Sequence, residues 1–129
     1  IEMKSAYRTI VRKRNEGISM VIGFLTDQRP RKHGNEHWTT FLNQDTLLQT
    51  GMERIARQLG FSVMYLDIRK VKRGHYVGNF SVITPDASAE EELTVTEKYT
   101  RKLEETILND PAYYLWSHNK WSRSRNQEG

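Results

Sequence analysis

Ile18-Ser-Met-Val-Ile-Gly-Phe-Leu25 is the longest apolar run in the chain, and Thr26-Asp-Gln-Arg-Pro-Arg-Lys-His-Gly34 follows it directly. A short run rich in β-forming residues and bounded by turn signals reads as a strand buried on both faces. The polar stretch after it is broken by Pro30 and Gly34, so it reads as a loop. In open α/β sheets ligands bind beyond the carboxyl ends of the strands, which makes this loop the first place to look for a site.

The flanking segments extend the pattern. Upstream, Ala6, Tyr7, Ile10 and Val11 recur at helical spacing with Arg8, Arg12 and Lys13 on the other side, and the helix is expected to end near Gly17. Downstream, His37 to Leu42 reads as a short strand. From Asp45 onward Leu48, Met52, Ile55, Ala56 and Leu59 form a helical stripe, with Thr50 and Glu53 at capping-box spacing and Gly60 at the C-cap position. Phe61–Ile68 and Tyr76–Thr84 read as strands joined by the hairpin connection Lys70-Val-Lys-Arg-Gly-His75, in which Gly74 is free to take a positive φ. Ser88 with Glu91, or Thr94 with Glu97, is expected to cap a last helix carrying Tyr99, Leu103 and Ile107 on one face. That helix should stop near Asn109, because Asp110 precedes Pro111. The order predicts an α/β fold with a mixed β-sheet flanked by helices. One domain over residues 1–129 is expected, with 122–129 as a frayed tail.

Composition narrows the function classes. A chain of 129 residues with 36% hydrophobic content can bury one modest core, and its Tyr, Trp and Phe supply large buried surfaces. Without cysteine there is no disulfide framework, thiolate nucleophile or Cys-ligated metal. The run Ile18–Leu25 is far below the roughly 18–20 apolar residues that cross a bilayer. Charge is unevenly spread: Ile1–Lys32 carries eight Lys or Arg against three acids, whereas Asp86–Asp110 carries eight acids against three bases. An anionic partner is therefore expected at the basic end.

In the loop, Asp27 and Gln28 stand at the strand end, followed by Arg29, Arg31 and Lys32. Arg presents a fork of donors that matches paired phosphate or carboxylate oxygens, so these cations suit an anionic head group. The bland reading is a solvated loop. A second cluster, Tyr113-Tyr-Leu-Trp-Ser-His-Asn-Lys-Trp121, interleaves aromatics with His118 and Lys120. Core packing is the commoner fate of such aromatics. His33 and His37 are four residues apart, but Pro30 and Gly34 argue against a helix there, and no metal site is expected. No phosphate-binding glycine loop, nucleophile elbow or dinucleotide fingerprint is present.

Several segments, in this order, resemble one family. They are Val21-Ile-Gly-Phe-Leu-Thr-Asp27-Gln28, the basic Gly-containing loop, Phe41-Leu42, Thr50-Gly51 with Ile55-Ala56, and Phe61–Arg69. The closing Pro111-Ala-Tyr-Tyr-Leu-Trp116-Ser-His118-Asn-Lys120-Trp121 completes the set. Together they resemble the C-terminal half of bacterial lipid A biosynthesis acyltransferases of the lauroyl or myristoyl type, over Ala6 to Arg125. Asn119 and Asn43 depart from the family pattern, in which a basic residue and a Gly are common.

The resemblance implies part of a glycerolipid-acyltransferase-like sandwich. It implies a bacterial inner-membrane enzyme, acting at the cytoplasmic face, that moves a fatty acyl group from an acyl carrier protein or CoA thioester to a hydroxyl of a lipid A precursor or related glycolipid. No other cofactor is implied. Asp27 and Gln28 carry over as walls of the site and Arg29 as a phosphate contact, and Arg31 is a further candidate binding residue of the same loop. His118 and Lys120 carry over as terminal-signature residues with a structural or acceptor-binding role. Such enzymes use a His with an acidic residue five positions later as general base. Here Trp38, Leu42, Phe80 and Arg123 stand five residues after His33, His37, His75 and His118, so that pair and a membrane anchor are expected upstream of residue 1. The piece itself is then expected to be soluble and inactive. The rival reading is a non-enzymatic module binding nucleic acid through Arg8, Arg12, Arg29 and Arg31, with affinity that falls steeply with salt.

Overall fold

The computed structural model describes residues 3–30 and 36–123. Three helices and two small antiparallel sheets form an open mixed α/β arrangement, in line with the expected α/β class. The elements are α1 (Met3–Asn15), β1 (Glu36–Phe41), β2 (Gln44–Gln49), α2 (Gly51–Leu59), β3 (Val63–Lys72), β4 (His75–Thr84) and α3 (Thr94–Asn109). One-turn 3-10 helices follow β4 (Ala87–Ala89) and α3 (Pro111–Tyr113).

The run that was expected to form a buried strand does not. Residues 18–25 belong to neither sheet. Val21 is 100% exposed and Leu25 85% exposed. Both sheets pair sequence neighbours, β1 with β2 and β3 with β4, and among the described residues no strand pairs with the apolar run. Apolar content drives burial without direction, whereas a strand also needs a partner for its N–H and C=O groups.

A second correction falls on the stretch from Asp45 to Gln49, which was read into a helical stripe and belongs to strand β2. Thr46, Leu47 and Leu48 are buried in succession, a pattern that a short apolar run leaves open between strand and helix. The turn decides it. Leu42 and Asn43 both take positive φ, 49° and 61°, the two-residue geometry that folds β1 back onto β2. Asn tolerates this conformation, which accounts for Asn43 at a position where Gly is common. The Leu42 N–H is held by the Glu104 carboxylate of α3 at 2.7 Å.

α2 ends as expected. Gly60 is left-handed with φ 61°, and the Phe61 N–H bonds back to the Ala56 carbonyl at 3.0 Å. Its start differs, because Thr50 makes no side-chain cap. Glu53 instead reaches α3, where its Oε2 accepts from the Thr96 N–H and hydroxyl. The expected caps of α3 are not made either: Leu93, with φ 70°, occupies the N-cap without a side-chain bond. A carboxylate from α2 does that work from across the core. β3 and β4 form the expected hairpin, with Lys72 opposite His75 and Gly74 at φ 77°.

The core gathers Phe41, Ala56, Tyr65, Ile83, Ala87, Val95, Leu103 and Ile107, with Phe61, Tyr99, Tyr114 and Trp121 packed against it. Leu103 and Ile107 occupy the face of α3 that the spacing predicts. Among the described residues no helix is long and apolar enough to cross a membrane.

Candidate functional site

The polar loop keeps its importance although the strand before it is absent. Asp27 lines a cavity of about 230 Å³ together with Asp67 and Arg69 of β3, Leu103, Thr106 and Ile107 of α3, and the turn Asp110–Leu115. One carboxylate and one cation of this wall are paired: Arg69 Nε donates to Asp67 Oδ2 at 2.8 Å. Asp67 Oδ1 is buried without a hydrogen-bond partner among the described residues. A buried carboxylate oxygen with an unused lone pair is costly.

The electrostatics centre on Asp27. Its charge acts on Tyr65, Tyr99 and Tyr114, although burial is the larger cause of the raised pKa of each phenol. Tyr114 is pushed up to about 12. Tyr99 hydrogen-bonds to Thr26, and Tyr65 donates to Thr106 Oγ1 at 2.9 Å, so the tyrosines tie the loop and β3 to α3. All three phenols are held neutral, as donors, at physiological pH.

The residues singled out from the sequence fall into two groups in space. Asp27 reaches the cavity wall. Gln28 is exposed beside it. Arg31 lies outside the described residues. Arg29 turns toward the end of the chain: its backbone N–H donates to His118 Nε2 at 3.0 Å and its guanidinium to Ser122 Oγ at 2.5 Å. Lys120 is 3% exposed, donates to the Asp27 carbonyl at 2.6 Å and stands 5.1 Å above the Phe41 ring. Burial pushes its pKa down to about 8, against the opposing pull of Asp27. Trp121 stacks on Phe41 at 6.2 Å and donates through Nε1 to Thr46 Oγ1 at 2.7 Å. The terminal signature thus packs as expected at Trp121, while Tyr113 and Trp116 stay more than half exposed.

Sequence reasoning missed Asp67, Arg69 and Asp110. Asp67 carried a signal: it shares the inward register of Val63 and Tyr65 in an otherwise apolar strand, where a carboxylate is out of place. Asp110 was read solely as the stop before Pro111. His37 is also better placed than its sequence context suggests, since its Nε2 lies 2.7 Å from Glu97 Oε1. This imidazole–carboxylate pair joins β1 to α3, shares Glu97 with Arg101, and does not line the cavity.

Residues 1–123 match the family model described as bacterial lipid A biosynthesis acyltransferase. No curated protein and no solved structure matches the chain.

Proposed function

The chain belongs to the bacterial lipid A biosynthesis acyltransferase family, and from this we propose that it forms the acceptor side of a cleft where a fatty acyl group passes from a carrier thioester to a hydroxyl. The donor is an acyl carrier protein or CoA thioester, and the acceptor is a lipid A precursor or related glycolipid. The working protein sits at the cytoplasmic face of the bacterial inner membrane. The observation that carries the reading is the cavity in which Asp27, of the Asp-Gln element, meets Asp67, Arg69, Tyr113 and Tyr114. Carboxylates accept from sugar hydroxyls, so a wall carrying Asp27, Asp67 and Asp110 fits the hydroxyl-bearing face of a sugar head group.

Gln28 and Arg29 follow Asp27 in the loop, and His118 and Lys120 hold the loop's backbone. The general base is a His–acid pair from outside these residues, since no described His stands beside the cavity with a carboxylate behind it. Acceptor binding without the base leaves the chain by itself without turnover. The test is radiolabelled acyl transfer by the protein carrying the complete His–acid motif. Asp27→Ala should raise the acceptor KM about tenfold or more, the worth of one charge-assisted hydrogen bond, while His37→Ala should leave kcat within about twofold. Unchanged KM in Asp27→Ala sinks the reading of the cavity, and transfer by this chain alone would show that the base is within it.

A further inference from the structure

The Asp27–Arg29 peptides are fixed by residues about ninety positions later in the chain. Lys120 Nζ donates to the Asp27 carbonyl, His118 Nε2 accepts from the Arg29 N–H, and Ser122 Oγ accepts from the Arg29 guanidinium. These bonds span sequence separations of 93, 89 and 93 residues. Residues 18–25, which precede the loop, belong to neither sheet and do not hold it from the other side. Lys120 is itself seated on Phe41, and Trp121 is pinned to Phe41 and Thr46, so the fixed end of the clasp is the β1–β2 hairpin.

We infer that His118 and Lys120 are positioning residues: they grip consecutive carbonyl and amide groups of the Asp27 loop and thereby set the Asp27 carboxylate at the cavity wall, without touching the acceptor. Three features carry this. Lys120 is buried, with its ammonium spent on a backbone carbonyl and an aromatic face, which leaves it unable to meet a ligand in the cavity. His118 Nε2 is taken up by the Arg29 N–H, so that ring nitrogen is spent on the loop backbone. Neither residue lines the cavity, whereas Asp27 does. Displacing a site-wall group by as little as ~1 Å is enough to cost binding or rate, so a grip on its peptide matters as much as the group itself.

The consequence for acyl transfer rests on the acceptor reading above, and the grip itself does not. Two readouts separate them: hydrogen exchange of the Arg29 amide by NMR in the present chain, and the acceptor KM and kcat in the protein with the complete His–acid motif. In His118→Ala and Lys120→Met the Arg29 amide should exchange about tenfold faster, the worth of one net hydrogen bond. The acceptor KM should rise by a similar factor, with kcat within about twofold. His118→Gln, whose carbonyl can replace Nε2 as acceptor, should restore both. Unchanged Arg29 exchange in both variants overturns the inference, even if transfer is lost. Faster exchange with an unchanged KM, in a protein where Asp27→Ala raises KM, overturns the positioning role. If Asp27→Ala leaves KM unchanged, the acceptor reading falls, and the accelerated amide still upholds the clasp.

Discussion

Residues 18–25 and residues 26–30 adjoin in the chain and have opposite fates. The first segment has the composition of a core strand, yet it joins neither sheet and leaves Ile18, Val21, Phe24 and Leu25 more than a third exposed. The second is polar and carries a proline, yet it is fastened by side chains of Tyr99, His118 and Lys120. Order here follows from where backbone donors and acceptors find partners, and hydrophobicity decides burial only where a ladder is also on offer. The loop is held at the Asp27 carbonyl and the Arg29 amide because the terminal signature reaches both.

The comparison can be broken or sharpened by variants on each side of the boundary. Trp121→Ala removes the ring on Phe41 and the donor to Thr46, and should cost about 3–4 kcal/mol in urea unfolding; a loss below about 1 kcal/mol would mean that the clasp has no anchor in the core.

Lys120 gives a pH signature on the same side. Its folded pKa is depressed to about 8 from 10.5, so between those values the unfolded chain binds the proton and the folded chain does not. Unfolding is then linked to proton uptake, and stability should rise as pH increases from about 8 toward 10, by up to about 3 kcal/mol. Above pH 10 the sign reverses, because Tyr65, Tyr99 and Tyr114 have raised pKa values and ionise first in the unfolded chain. Lys120→Met should abolish the rise and keep the fall, as read by thermal unfolding across the pH range.

His118→Ala removes one acceptor at a solvent-exposed bond and should cost about 1 kcal/mol or less. On the other side of the boundary, Val21→Ser should change stability by less than about 0.5 kcal/mol, since Val21 is fully exposed. A loss of 2 kcal/mol there would show that the apolar run is packed after all.

Local signals in the sequence were read correctly where the deciding partner lies close by. Gly60, Gly74 and the Asp110-Pro111 stop each depend on a few neighbouring residues, and each stands where the spacing puts it. Ile18–Leu25 and the stretch from Asp45 to Gln49 were misread because short apolar runs carry no information about which strand they meet. β2 is decided by the Leu42-Asn43 turn and by Glu104 from α3, far along the chain. The site divides the same way. Asp27 was legible as the polar end of an apolar run, and it does reach a cavity. Its partners Asp67, Arg69 and Asp110, and its grip by Lys120, arise from tertiary contacts that no local spacing encodes.

Amide hydrogen exchange resolved along residues 18–30 tests the central claim most directly. Slow exchange at Arg29, at least about tenfold below the free-peptide rate, beside near-free rates from Val21 to Leu25 is the predicted profile. Equal protection in both segments, or protection of the apolar run with Arg29 unprotected, would contradict it.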